Sequence, residues 1–375
     1  MTTIKTNPHR AVDYSESGIK KALEAAGSLE AEVKYDGVRL NLPVFPTGET
    51  QWLSRESKPL PALEWLSVLT NIDNIVEDQK KASDWRWFLK QAGYEGTGLM
   101  IDGEVMVPAT DFNTSSGLVR TMWSDTKNYA WNGNPDADID TKKKHKVPFH
   151  LATDHIRVVV YGIVDLNVIT DPKAEGPIHS VTRLKAEAIV PLLQKYFPEI
   201  DWVLSESHTV YDLESLNSLY EEKRLEGHEG LVVKDPLGKY KRGKKSGMWK
   251  MKPEDTIDGI VVGLNWGTEG LANEGKVIGF DVLLENGMVV AANNISQALM
   301  DEFTEVVEAE RAYIWNDCMT DIEREECGEE CLEDVNPYKG HQCEVSYMEM
   351  TPDGSLRHPS FKCWRGTEDN PTIKS

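Results

Sequence analysis

The chain has 375 residues, 40% hydrophobic and 27% charged, a length and composition that suit a globular protein with two cores of unequal size. No apolar run approaches the ~20 residues of a membrane helix, and residues 1–8 lack the apolar segment of a secretory leader, so a soluble cytoplasmic protein without membrane partners is expected. The formal net charge of −21 argues at first against a nucleic-acid partner, until its distribution along the chain is considered.

Residues 15–26 place Ile19, Ala22, Leu23 and Ala26 on one helical face, with Gly27 set to end the helix. Residues 29–34 alternate like a strand and lead into a turn at Asp36-Gly37. Residues 99–107 and 156–164 are rich in β-branched side chains and read as buried strands. Helical spacing recurs over 180–197 and 213–226, and strand patterns return at 230–234 and 247–252. Lys239 to Lys252 reads KYKRGKKSGMWKMK, seven cations without an acid, and such a local field holds phosphate whatever the total charge. The first 252 residues carry 33 Lys and Arg against 36 Asp and Glu, whereas the remainder carries 8 against 26.

Residues 253–256 read as a hinge, beyond which the pattern changes. Strands are expected at 257–264, 277–284 and 288–292, the last two joined by a hairpin at Asn286-Gly287. A helix starting near Ser296 carries Leu299, Met300, Phe303, Val306 and Val307 on one side, and a final strand over 343–350 turns at 352–354. The expected architecture is α+β: a larger domain of helices and strands around sheets over 1–252 and a small five-stranded barrel of the oligonucleotide-binding kind over 253–375. Residues 301–334 hold 14 carboxylates and read as a solvated helix face and loop. Five cysteines, Cys318, Cys327, Cys331, Cys343 and Cys363, lack the paired C-x-x-C knuckles of structural zinc, and their odd number points to reduced thiols.

The chemistry starts with Lys34-Tyr-Asp-Gly-Val-Arg39. A turn after a strand displays Lys34 at a sheet rim, and burial or nearby cations are the usual means of activating a lysine as a nucleophile. Four further elements follow in order: Ser54-Arg55-Glu56, Asp102-Gly103-Glu104, Glu229-Gly230-Leu-Val-Val-Lys234 and Trp249-Lys250-Met-Lys252. Two carboxylates set beside glycines suit magnesium, which takes few protein ligands and fills its shell with water and phosphate oxygens. Lys250 and Lys252 alternate onto one side of a strand. The strip of Lys239, Lys241, Arg242, Lys244 and Lys245 is expected to hold phosphate; residues 142–146 form a weaker basic run, read as a loop.

Taken together and in this order, the five motifs resemble the covalent nucleotidyltransferase superfamily of ATP-dependent DNA ligases, RNA ligases and mRNA-capping enzymes. The likeness is strongest to the compact two-domain DNA ligases of short-tailed bacteriophages. It includes Gly-His-Glu-Gly-Leu at 227–231 and Pro-Asp-Gly-Ser-Leu-Arg-His-Pro-Ser-Phe at 352–361. The resemblance implies a DNA ligase that uses ATP and magnesium on nicked duplex DNA, acting as a monomer. It implies that Lys34 forms the covalent bond to AMP, and that Arg39 and Arg55 bind phosphate. It also implies that Glu104 contacts the ribose or a metal, that Tyr161 stacks on the base, and that Glu229 binds metal. Lys234, Lys250 and Lys252 would contact the α-phosphate, and Arg357 and Arg365 would orient the departing pyrophosphate. Residues 73–84 and 316–334 fit the family poorly and are expected to be altered loops. A capping guanylyltransferase would choose GTP, an RNA ligase would choose nicked RNA, and a non-catalytic binding protein would leave Lys34, Glu104, Glu229 and Lys252 unexplained.

Overall fold

The computed structural model describes residues 3–69, 76–108, 110, 112–125, 146–253, 255–293, 295–350, 354–367 and 370–371. The chain divides into two compact units: Met1–Leu213 with Val232–Lys250, and Glu214–Leu231 with Met251–Ser375.

The first unit is built on two sheets. One has five strands in the order His9–Val12, Gly243–Met251, Gly230–Lys234, Leu29–Lys34, Ser207–Val210. The other has four, in the order Val38–Val44, Leu99–Met106, Arg157–Asp165, Asp201–Leu204. Period-two alternation sorts the four-stranded sheet into two faces. Leu40, Leu42, Ile101, Val105, Val158 and Val160 enter the main core on one side. Arg39, Asn41, Asp102 and Glu104 alternate with them; Arg39 pairs in register with Glu104, and Asn41 with Asp102. The core is closed by the helices Val76–Ala92 and His179–Tyr196, which bury Ala82, Trp85, Phe88, Leu89, Ala186, Ile189 and Leu193. Trp85 stacks on Phe197 with centroids 3.9 Å apart.

The helix Glu16–Ala26 forms as expected, with the Ser15 hydroxyl accepting from the Gly18 N–H and Gly27 ending it at φ 77°. The expectation of a loop over 73–84 is corrected: residues 76–84 open the helix Val76–Ala92, and residues 73–75 lie outside the described part. Its charged exterior hid an inner face that, among the described residues, buries Ala82, Trp85, Phe88 and Leu89. Residues 142–145 of the weaker basic run also lie outside the described part.

The second unit centres on a five-stranded sheet ordered Val289–Ala292, Val277–Leu284, Asp255–Trp266, Gln342–Tyr347, Ser360–Trp364. The expected hairpin is present, with Leu283 opposite Val289 and Gly287 at φ 82°. The helix Gln297–Tyr313, capped by Ser296, buries Met300, Phe303 and Val307 against Phe280, Tyr338, Phe361 and Trp364. The barrel expectation needs one correction: among the described residues the edge strands meet only through the single bridge Asn293 to Ser360, so the sheet curls without a closing ladder. Residues 316–334 are helical rather than looped. A π-turn at Ile314–Cys318 leads into the helix Asp321–Cys327, started by a Thr320/Glu323 capping box. Cys318, Cys343 and Cys363 carry free thiols, but Cys331 is disulfide-bonded, contrary to the expectation of reduced cysteines throughout. Counting cysteines cannot show which sulfurs the fold brings within bonding distance.

Candidate active site

Leu29, Ala31 and Val33 of the strand Leu29–Lys34 are fully buried, so Glu30, Glu32 and Lys34 alternate onto the opposite face. Lys34 is the last residue of the strand and lines a cavity of about 100 Å³ in the first unit. Arg39, Glu104, Tyr161 and Lys234 line the same cavity, so five of the site residues expected from sequence converge. Gly37 has a steric reason: a Cβ there would meet Glu104 Cγ and the Val105 carbonyl oxygen, each at 2.8 Å. Gly103 is equally constrained, because a Cβ would lie 2.4 Å from the Val159 carbonyl oxygen.

Arg39 is fixed by a bidentate pair with Asp102, Nε to Oδ1 at 2.7 Å and Nη2 to Oδ2 at 2.8 Å. Asp102 also accepts from Asn41 Nδ2 at 3.0 Å and from the Tyr240 hydroxyl at 3.0 Å. Thr6 Oγ1 donates to Asn41 Oδ1 at 2.9 Å and completes the chain of buried bonds. Lys234 pairs with Glu32 at 2.7 Å, both side chains almost wholly buried. Burial pushes the Glu104 carboxyl up to about 7, against the opposing pull of Arg39, Lys34 and the Tyr161 hydroxyl that donates to Oε2 at 3.2 Å. A carboxyl there changes its charge near neutrality, beside an amine that must lose a proton before it can attack.

Tyr161 reaches the cavity through a β-bulge. Asp102 pairs with Gly162 and Gly103 with Val160, leaving Tyr161 as the extra residue. The Arg39 guanidinium lies 5.1 Å from its ring centroid. Behind Arg39, the rings of His9 and His179 lie 5.0 Å apart and His9 meets Tyr240 edge-on at 5.7 Å. The Lys241 N–H donates to His9 Nδ1 at 3.2 Å, which places the ring proton on Nε2, 3.1 Å from the Lys245 carbonyl oxygen. Burial lowers the pKa of both imidazoles, that of His179 to about 2, so neither adds a cation to the site at neutral pH.

The remaining expected residues do not line this cavity. Arg55 is exposed and sits 3.3 Å from Glu56. Lys250 pairs with Asp13 at 3.0 Å; Lys244 and Lys250 together hold that carboxyl at about 2. In the second unit Glu229 and Lys252 pair at 2.6 Å. Arg365 is held there by Asp258 at 2.9 Å and Glu344 at 2.9 Å, and Arg357 pairs in register with Glu349. Of the basic strip, Lys239, Lys241, Lys244 and Lys245 are exposed. Lys239 contacts Glu175, Lys244 contacts Asp13 at 2.8 Å and Arg242 donates to the Lys5 carbonyl at 2.7 Å. Sequence reasoning missed Glu32, Asp102 and Tyr240 as site residues. Glu32 and Asp102 could have been found, since each stands two residues from a chosen one on the same strand face; His9, His179 and Tyr240 come from distant segments and carry no local signal.

Two family models match the chain: "ATP dependent DNA ligase domain" over residues 10–252 and "DNA ligase C-terminal domain" over 253–365. The chain is 51% identical over 384 residues to a DNA ligase of Escherichia phage T7, covering all of both sequences. It is 47% identical over 379 residues to a DNA ligase of Enterobacteria phage T3, again covering all of both. Its fold matches the solved structure of the ATP-dependent DNA ligase from bacteriophage T7 in complex with ATP. That match has a TM-score of 0.80 at 50% identity over 97% of this chain and 100% of that one. The class defined by this lysine-centred cavity and these matches is the covalent nucleotidyltransferases. Within that class, the chain belongs to the ATP-dependent DNA ligases.

Proposed function

We propose that this ligase seals nicks bearing a 3′-hydroxyl and a 5′-phosphate in duplex DNA, during replication, repair or recombination, through a lysyl-adenylate on Lys34. The observation that carries the reading is Lys34 at a strand end, lining one cavity with Arg39, Glu104, Tyr161 and Lys234. In the first step the Lys34 amine attacks the α-phosphorus of ATP, a P–N bond forms and pyrophosphate leaves. Glu104 can take the ammonium proton, because its carboxyl titrates near neutrality and is electrostatically coupled to Lys34. Arg39, locked by Asp102, presents a guanidinium of fixed orientation to phosphate or ribose, and Tyr161 offers a ring face to the base. AMP then passes to the 5′-phosphate of the nick, and the 3′-hydroxyl displaces it to form the phosphodiester.

Magnesium is satisfied by one or two carboxylates with phosphate oxygens and water; in the cavity Glu104 is the side chain that would hold it, and the metal role of Glu229 is assigned on its motif alone. It would offset charge on the phosphates, and Lys234, Lys250 and Lys252 would add to that offset. Residues 1–252 are assigned to the nucleotidyltransferase domain and 253–375 to the oligonucleotide-binding domain, a division supported by the ranges of the two family models. Arg55, Arg357 and Arg365 are assigned to phosphate and pyrophosphate. Lys239, Lys241, Arg242, Lys244 and Lys245 are assigned to the DNA backbone, on the ground that four of the five are exposed. The protein is assigned as a monomer acting in the cytoplasm of an infected cell. Among the described residues no helix is long and apolar enough to cross a membrane.

The test is incubation with α-labelled ATP and magnesium, followed by mass mapping of the modified peptide and sealing assays on nicked DNA and nicked RNA. AMP on Lys34, no labelling by GTP, and loss of both labelling and DNA sealing in Lys34→Ala are expected. An adduct on another residue, or sealing that survives Lys34→Ala, refutes the assignment.

A further inference from the structure

Tyr240 stands inside the cationic strip, flanked by Lys239 and Lys241, yet its side chain is only 6% exposed and points away from solvent into the nucleotide cavity. Its hydroxyl donates to Asp102 Oδ2 at 3.0 Å, the same oxygen that accepts from Arg39 Nη2 at 2.8 Å. The backbone around it is pinned from several directions. The Tyr240 N–H donates to the Pro177 carbonyl at 2.8 Å, and Lys239 bridges to Ile178. Any Cβ on Gly176 would stand 2.0 Å from the Tyr240 carbonyl oxygen, so this neighbour must be glycine. The His9 ring packs against the phenol, and its two nitrogens bond the backbone of Lys241 and Lys245 on the same strip. These contacts hold the phenol and the backbone around it from several sides, the kind of support that positions a site side chain.

Resting on the ligase reading above, we propose that Tyr240 is a positioning residue for nucleotide transfer: its hydroxyl locks Asp102, and through Asp102 the Arg39 guanidinium, in the orientation that receives ATP. The phenol is thus the inward half of a segment whose outward lysines serve the DNA backbone. The two functions separate by side chain although they share consecutive residues.

Tyr240→Phe removes one oxygen and keeps the ring that His9 packs against. In self-adenylation with ATP, the KM for ATP should rise about tenfold, the scale of losing one hydrogen bond to a charged group. The adenylatable fraction measured by active-site titration should stay at the wild-type level. The salt dependence of binding to nicked duplex should be unchanged, because no phosphate contact is lost. An unaltered KM for ATP overturns the proposal, and so does a loss of activity fully accounted for by a reduced active fraction, which would mark a purely structural role. Failure of the wild-type protein to accept AMP from ATP would instead overturn the underlying ligase reading, so the two failures are distinct.

Discussion

Substituting Glu104 by Gln should make the protein more stable and catalytically inert, with a pH signature set by the buried carboxyl. Glu104 titrates near 7 in the fold against an ordinary value of 4.5, with burial as the leading cause. For an acid whose pKa is raised by folding, the neutral form is the one the fold favours. Ionisation therefore costs stability progressively from pH 4.5 up to about 7 and by a constant amount above that. At 1.36 kcal/mol per decade, this side chain costs about 2 kcal/mol at pH 6 and about 3 kcal/mol at pH 8. Gln keeps the shape and an oxygen for the Tyr161 hydroxyl but cannot ionise. Its stability advantage over the wild type should therefore widen by about 1 kcal/mol between pH 6 and pH 8, or roughly 3 °C in melting temperature for a unit of this size. Thermal unfolding of both proteins at the two pH values measures the difference, and self-adenylation measures the loss of function. An advantage that does not change with pH, or a Gln variant less stable than the wild type at pH 8, refutes the reasoning.

Gly37→Ala should lower stability by ~1–3 kcal/mol and impair self-adenylation, because the new methyl meets Glu104 Cγ and the Val105 oxygen at 2.8 Å; denaturant titration and adenylation assays check both, and wild-type values in both would contradict the packing argument. Phe303→Ala should cost ~3–5 kcal/mol in the second unit, where Phe303 touches Phe280, Tyr338, Phe361 and Trp364; calorimetry should show the loss. If Lys239, Lys241, Arg242, Lys244 and Lys245 all meet phosphate, nick affinity should fall with a log–log salt slope near −4 to −5, and a flat slope would remove the strip from the DNA footprint.

What could be read directly from the chain was whatever depends on neighbours in sequence. Gly27 stops the first helix, and Asn286-Gly287 forms its hairpin, because helix ends and turns are decided by a few consecutive backbone angles. Lys34, Arg39, Glu104 and Lys234 could be named because their motifs carry the chemistry in short strings, Tyr161 only through the family resemblance that those motifs imply, and all five line one cavity. The fold alone decided the rest. Tyr161 faces that cavity through a bulge invisible to strict alternation, and the helix Val76–Ala92 is stabilised by an aromatic face that matters only once Phe197 is opposite it. Glu104 titrates near neutrality, and Arg39 is held by a relay from Thr6 through Asn41 to Asp102 and Tyr240. These properties come from desolvation and from hydrogen bonds between residues far apart in sequence. Both are set by distance and enclosure in space, which no window of consecutive residues contains.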